Sequence, residues 1–362
     1  MNRILLVRLG ALGDIVHAIP VAAALRRAFP AARIDWLVSA KHRAILDLVP
    51  IIDRRLVLGT GDLGTGLGIL RRRDPSPGYR DLSPGWLAAI RELRQSRYDV
   101  AIDLQGLIKS AVLARSSGAA RVIGFSSRYA REGLARWFYT EAVDPGRGGL
   151  FDAGETRHVV ELNLLLLGPL GVTVGKPEFP IEPVDSDVAR WASEQSKGRY
   201  ALVNPGAAWP NKRWPPARLA AVASALRDRH GLTSIVLWGP GEESLAQEVV
   251  AGSHGAAVLS PKTTIGDLVA LSRGAALMIS GDTGPTHIAS AVGTPLVGIF
   301  GPTRPARNGP LSPLDVAVSR DDICKCHHRR RCTLDRMCLL DIEVDEVLSA
   351  VERRLAAGRD RG

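Results

Sequence analysis

The chain is poor in aromatic residues, at 5% of 362 positions, and poorer still in methionine and cysteine, with 3 and 4. Few aromatics and dispersed arginines leave no platform for stacking single-stranded nucleic acid bases, so that partner is not expected. No run of about 18 apolar residues is free of charge, so no transmembrane helix is expected. Arg8 and Asp14 interrupt the apolar start, which suits a buried first strand better than a secretory signal. A cytosolic protein is expected. The four cysteines stand close together, at 324, 326, 332 and 338, beside His327 and His328. In a reducing compartment clustered thiols point to metal more than to disulfide. The spacing C-x-C-x5-C-x5-C, however, is tighter than zinc-finger pairs. Reduced thiols therefore rank first for Cys324, Cys326, Cys332 and Cys338, a structural zinc or iron second and disulfides third.

What is present is a globular composition, 46% hydrophobic and 23% charged, at a length that suits two domains. A net charge of +10 fits an anionic substrate or an anionic membrane surface. Short apolar runs alternate with helical segments from the start. Residues 3–7 read as a strand, 21–29 as a helix and 33–38 as the next strand, a rhythm that implies a parallel sheet. Between the first two lies Arg8-Leu9-Gly10-Ala11-Leu12-Gly13-Asp14, whose glycines miss the dinucleotide spacing. Asp14 falls just past the strand's carboxyl end, where it reads equally as a helix cap or a catalytic group. Residues 59–85 are polar, Gly/Pro-rich and contain Arg71-Arg72-Arg73, either a solvated basic loop or a contact for an anion. Residues 98–104 form a strand that turns through Gln105-Gly106 into a helix. Between 115 and 136 five arginines face one acid, Glu132, a density suited to phosphate or carboxylate.

Residues 168–185, dense in Pro and Gly, break regular structure and read as the interdomain linker. The expected domains are 1–175, 176–343 and a terminal helix and tail, 344–362. The second domain repeats the rhythm. At its heart residues 275–279 form a buried strand and a helix starts near Pro285. Between them Asp282-Thr283-Gly284-Pro285 makes a sharp turn with Pro at about the first helical position. Such a turn aims free backbone N–H groups and a positive helix end at one point, which suits a phosphate or diphosphate.

The segments Arg8 to Asp14, Asp103 to Ser110, Lys212-Arg213-Trp214-Pro215, Gly281 to His287 and Phe300-Gly301-Pro302-Thr303 occur in this order. Together they resemble the lipopolysaccharide heptosyltransferases, glycosyltransferase family 9, over residues 1 to about 350. Gln105 to Ser110 and Tyr129 to Glu132 are most like the type I enzymes. The resemblance implies a GT-B fold: two Rossmann-like α/β domains with a central cleft, N-terminal for the acceptor and C-terminal for the nucleotide sugar. The terminal helix would cross back to the first domain. It implies an ADP-heptose donor, an anionic Kdo-lipid acceptor at the inner face of the inner membrane, inversion at the anomeric carbon, and no metal or cofactor.

Transfer from a nucleotide diphosphate needs charge stabilised on the leaving group and a proton removed from the acceptor. The resemblance assigns the proton to Asp14 as general base and the diphosphate to Lys212; an exposed turn lysine is the plain alternative. Thr283 and Gly284 would offer N–H groups, the Thr283 hydroxyl adding a further donor, and Asp282 would accept from donor-sugar hydroxyls or order the turn. His287 would reach a phosphate or sit buried. Glu242 would meet the ADP ribose or cap its helix. Lys109, Arg131 and Arg72 would contact the acceptor. Many relatives carry hydroxyl residues where this chain has Ala207 and Ala208, which puts the donor's identity in question. Other readings are a different family 9 transferase, a nucleotide-sugar 2-epimerase on the same fold, and a non-catalytic nucleotide-sugar-binding protein.

Overall fold

Strand-forming runs separated by amphipathic helices close into two separate parallel sheets, one in each of two compact units, Met1–Glu182 and Pro183–Gly362. The computed structural model describes residues 1–59, 79–81, 86–146, 148–152, 154–324, 329–332 and 337–359. The unit boundary falls inside the Pro- and Gly-rich stretch 168–185.

Unit 1 contains β1 (Arg3–Val7), β2 (Arg33–Ser39), β3 (Arg54–Leu58), β4 (Tyr79–Asp81), β5 (Val100–Asp103), β6 (Arg121–Phe125) and β7 (Glu141–Val143). Among the described residues they form one sheet in the order β4-β3-β2-β1-β5-β6-β7, with every pairing parallel. Its helices are α1 (Leu12–Val16), α2 (Ile19–Ala28), α3 (Trp86–Gln95), α4 (Ile108–Ser116) and α5 (Val159–Leu165). Ile4, Leu5, Leu6 and Val7 of β1 are fully buried, as a strand covered on both faces by helices requires. The chain reverses its direction of strand addition between β1 and β5. Ligands of open α/β sheets bind at such a switch point, outside the strands' carboxyl ends. Asp14 follows β1 and Gln105 follows β5, so both lie there.

Unit 2 contains β8 (Tyr200–Asn204), β9 (Thr233–Val236), β10 (Ala257–Leu259), β11 (Leu277–Gly281), β12 (Leu296–Phe300) and β13 (Val316–Ser319). Their order is β10-β9-β8-β11-β12-β13, again parallel, with the switch between β8 and β11. The helices are α6 (Asp187–Gln195), α7 (Pro216–His230), α8 (Glu243–Gly252), α9 (Ile265–Gly274), α10 (Gly284–Ala291), α11 (Pro305–Asn308) and α12 (Val344–Arg359). The loops that leave the switch strands are the two sequence motifs, Gly206 to Lys212 after β8 and Asp282-Thr283 after β11.

The resemblance places the terminal helix across to the first domain. The packing of α12 is within unit 2, against β12, β13 and α7. Val347, Leu348, Ala350 and Val351 recur at helical spacing and enter that unit's core beside Trp214, whose Nε1 donates to the Ile342 carbonyl at 3.0 Å. No described helix is long and apolar enough to cross a membrane.

Candidate active site

In unit 1 the site begins where β1 ends. Arg8 is buried, and its carbonyl accepts from Trp36 Nε1 at 3.2 Å. Its guanidinium donates to the Leu104 carbonyl and, from Nη2, to Asp14 Oδ2 at 2.8 Å. Asp14 sits in the first turn of α1, where Oδ2 also accepts the Ala11 N–H at 3.1 Å, so the carboxylate caps the helix while it pairs with arginine. Arg131 Nη1 lies 3.7 Å from the same oxygen. Gly10 lets the His42 ring pack against the backbone, since a Cβ there would stand 2.6 Å from it and the ring would have to shift. Burial lowers the His42 pKa, the Lys41 charge adding to the effect and Asp14 opposing it.

Arg131 reaches Asp14 because of Gly106. At φ +68 this residue occupies the left-handed region, and a Cβ would stand 3.1 Å from the Arg131 nitrogen. Glu132 N–H donates to the Gly106 carbonyl at 2.9 Å, and Ile108 N–H to Glu132 Oε2 at 2.7 Å. Beneath them Asp103 is fully buried. It accepts from Gln105 N–H, Ser110 Oγ and Tyr139 Oη at 2.9, 2.9 and 2.7 Å, while burial raises its pKa. Gln105 Oε1 accepts from Leu9 N–H at 2.8 Å, tying the β5 turn to the β1 turn. The Asp103–Ser110 motif thus fixes the turn after β5 beside the turn after β1. Lys109 is exposed on α4, apart from the Asp14 pairings, and Arg72 lies outside the described residues.

In unit 2 Lys212 ends the short 3-10 turn Pro210–Lys212 and donates from Nζ to Asp282 Oδ2 at 2.6 Å. Its ammonium stands 4.4 Å from the centroid of the Trp209 ring, a cation–π distance. His287 Nε2, one turn into α10, lies 2.9 Å from Asp282 Oδ1. Burial would raise the Asp282 carboxyl, but the His287 hydrogen bond and the Lys212 charge outweigh it and hold it well below the usual carboxylate range. Thr283 caps α10 with Pro285 inside the first turn. The Thr286 hydroxyl donates to the Gly281 carbonyl at 2.6 Å, Thr283 Oγ1 lies 2.9 Å from Thr286 Oγ1, and Asn204 Nδ2 donates to Thr283 Oγ1 at 3.1 Å. The Thr283 hydroxyl is thus engaged inside the turn, with Asn204, Thr286 and Ser280 as its neighbours. The turn therefore presents backbone outward, the first-turn N–H groups that have no intrahelical acceptor. At Gly281 a Cβ would stand 2.9 Å from the Lys212 carbonyl, so the end of β11 and the lysine turn touch.

Glu242 comes to the same edge. Its Oε2 accepts the Gly239 N–H at 3.2 Å, and a Cβ on Gly206 would collide with its carboxylate. Arg213 Nη2 lies 3.8 Å from Oε1. Within each unit, then, sequence-predicted residues meet: Asp14 with Arg131, and Lys212 with Asp282 and His287, near Glu242. Sequence reasoning gave no role to Arg8, His42 or Trp209. A cation directly after the apolar run Ile4 to Val7 is a signal for Arg8, and the three-residue spacing from Lys212 is one for Trp209. His42 has none.

Two other features lie apart from these groups. A polar cleft lined by Asn2, Arg3, Gln95, Arg97 and Asp99 opens at the amino ends of β1 and β5, opposite the site. Cys324 and Cys338 are buried and Cys332 packs against them, whereas Cys326, His327 and His328 lie outside the described residues. Among the described residues no three His, Cys, Asp or Glu are grouped to hold a metal ion.

Two doubly wound parallel units, each with charged groups gathered at its switch point, are the parts of a GT-B glycosyltransferase. The profile of glycosyltransferase family 9 (heptosyltransferase) matches residues 86–338, and the chain belongs to that family. It is 29% identical to lipopolysaccharide heptosyltransferase 1 of Pseudomonas aeruginosa over 345 residues, 91% of this chain and 87% of the relative. Its fold is that of the family 9 glycosyltransferase of Veillonella parvula, with a TM-score of 0.76 at 22% identity and 98% of both chains covered. E. coli heptosyltransferase WaaC, solved with ADP-2-deoxy-2-fluoro heptose, gives a TM-score of 0.69 at 21% identity over 97% of this chain and 99% of that one.

Proposed function

We propose that this enzyme moves heptose from ADP-heptose to the Kdo region of a lipopolysaccharide precursor, with inversion and without a metal. The carrying observation is the ammonium of Lys212, fixed by Asp282 beside the amino end of α10. An ammonium has three donors, and one is used on Asp282. The other two are available to diphosphate oxygens, alongside the helix N–H groups. They place fixed positive charge where negative charge grows as the sugar–phosphate bond breaks. Asp282 is in this reading the positioning carboxylate for Lys212 and His287, and Glu242 the partner of the ADP ribose.

Asp14 takes the proton from the acceptor hydroxyl as that oxygen attacks the anomeric carbon, and Arg131 and Lys109 receive the acceptor's acidic groups. Arg72 is assigned to the acceptor by resemblance alone. The enzyme works at the cytoplasmic face of the inner membrane, where a lipid-linked acceptor is presented. The test is ADP release measured with ADP-heptose and Kdo-lipid together and singly. Release only with both supports transfer; release from the donor alone, at the same rate, overturns it.

A further inference from the structure

Leu134 and Trp137 stand outside the core of unit 1, at 64% and 80% exposure. Both lie on the 3-10 helix Gly133–Phe138, where three residues complete a turn and side chains three apart share one side. Ala135 is buried and anchors the helix, which packs on α4. Ile108, also exposed, stands at the adjoining end of α4, tied to the start of this helix through Glu132. The two packed elements and the turn before the helix carry Lys109 and Arg115 on α4, Arg131 and Glu132 in the turn and Arg136 within the helix. Among the described residues no carboxylate pairs with Lys109, Arg115 or Arg136.

We propose that this ledge docks the enzyme on an anionic lipid bilayer, Trp137 and Leu134 entering the interfacial layer and the cations meeting the headgroups. Two features favour a bilayer over a protein partner. The apolar part is a pair of protruding side chains among four cations, Lys109, Arg115, Arg131 and Arg136, against one exposed carboxylate, Glu132, a composition close to that of interfacial membrane anchors. Protein interfaces instead gather a broad apolar centre depleted of charge. The location also fits: Arg131 joins the ledge to Asp14 at 3.7 Å, so a base acting on a lipid-borne hydroxyl lies beside the bilayer contact. The inference rests on the lipid-linked acceptor proposed above.

The test uses the full chain, the double variant Leu134→Ser/Trp137→Ser, and sedimentation with vesicles of phosphatidylglycerol and phosphatidylethanolamine or of phosphatidylcholine alone. Wild type should pellet with the anionic vesicles, less so as salt rises, and poorly with the neutral ones. The variant's partition coefficient should fall at least tenfold. Its transferase rate on a water-soluble Kdo acceptor without acyl chains should stay within twofold of wild type, which shows it is folded. Equal binding of variant and wild type overturns the proposal. So does a variant that loses only self-association in sedimentation velocity, which would make the ledge a protein contact. If the vesicle result holds while no Kdo acceptor gains heptose, the reading of function fails and the bilayer contact stands.

Discussion

Lys212 and Asp14 differ in how much the surrounding structure commits them. Lys212 is held on two sides, by Asp282 and by the Trp209 face, so truncating it removes a charge already in position. Lys212→Ala should lower kcat by about 10²–10³-fold, the usual loss for one preorganised donor, read in single-turnover assays at saturating ADP-heptose. Asp14→Asn keeps the side chain's shape and the Ala11 cap while removing the proposed base. Turnover should fall by about 10²–10⁴-fold, and a rate within about tenfold of wild type would remove Asp14 from that role. Glu155 supplies a pH test away from the site. Its hydrogen bond from Arg157 lowers its pKa to about 2, with the Tyr129 hydroxyl adding to the effect. Because the folded value lies below the unfolded one, the unfolded chain binds more protons between them. The Tm gap between wild type and Glu155→Gln should be complete above about pH 4.5 and shrink as pH falls toward 2. At this scale the sequence displayed the proposed catalytic groups but not the side chains they pair with. Arg8 reaches Leu104, and Asp282 reaches Lys212 from 70 positions away. No local pattern encodes a pairing set by how strands are ordered.

Among the elements, turns decide the site. Gly106 and Gly171 share nearly the same positive φ, +68 and +67, but only Gly106 has backbone against its missing Cβ, whereas Gly171 has nothing within 4 Å. Gly171→Ala should cost about 1–2 kcal/mol, the left-handed penalty alone. Gly106→Ala should cost more and should also weaken acceptor binding by moving Arg131. Denaturant midpoints and acceptor KM separate the two effects. The helix α12 gives a second case. Arg354 Nε donates to the buried Asp315 carboxylate at 2.6 Å, and burial pushes that carboxyl's pKa up against the arginine's pull. Arg354→Ala strands Asp315, and a broken buried pair of this kind costs about 3–5 kcal/mol. Helix and strand types were legible, since β1, β8 and β11 are continuous apolar runs and α7 ends at a glycine with φ +64. What α12 packs against was not legible, because an apolar stripe states only that something covers it.

For the whole molecule, the alternation of strand and helix foretold two parallel α/β units; the expected boundary at 175/176 stands beside a division at 182/183. Strand order was not in that pattern. It follows from which edge each crossover takes, and that choice makes β1/β5 and β8/β11 the switch points. The proposed division of labour follows from it: the groups assigned to the nucleotide lie in unit 2 and the proposed base in unit 1. ADP affinity measured by titration calorimetry should therefore stay within about twofold in Asp14→Asn and fall in Lys212→Ala. The central claim, sugar transfer onto an acceptor with Asp14 taking the proton, is tested most directly by the mass of the acceptor. After incubation with ADP-heptose, Kdo-lipid should gain one heptose with wild type and none, over the same time, with Asp14→Asn. An unchanged acceptor alongside free heptose, or equal gain with the variant, would contradict the account.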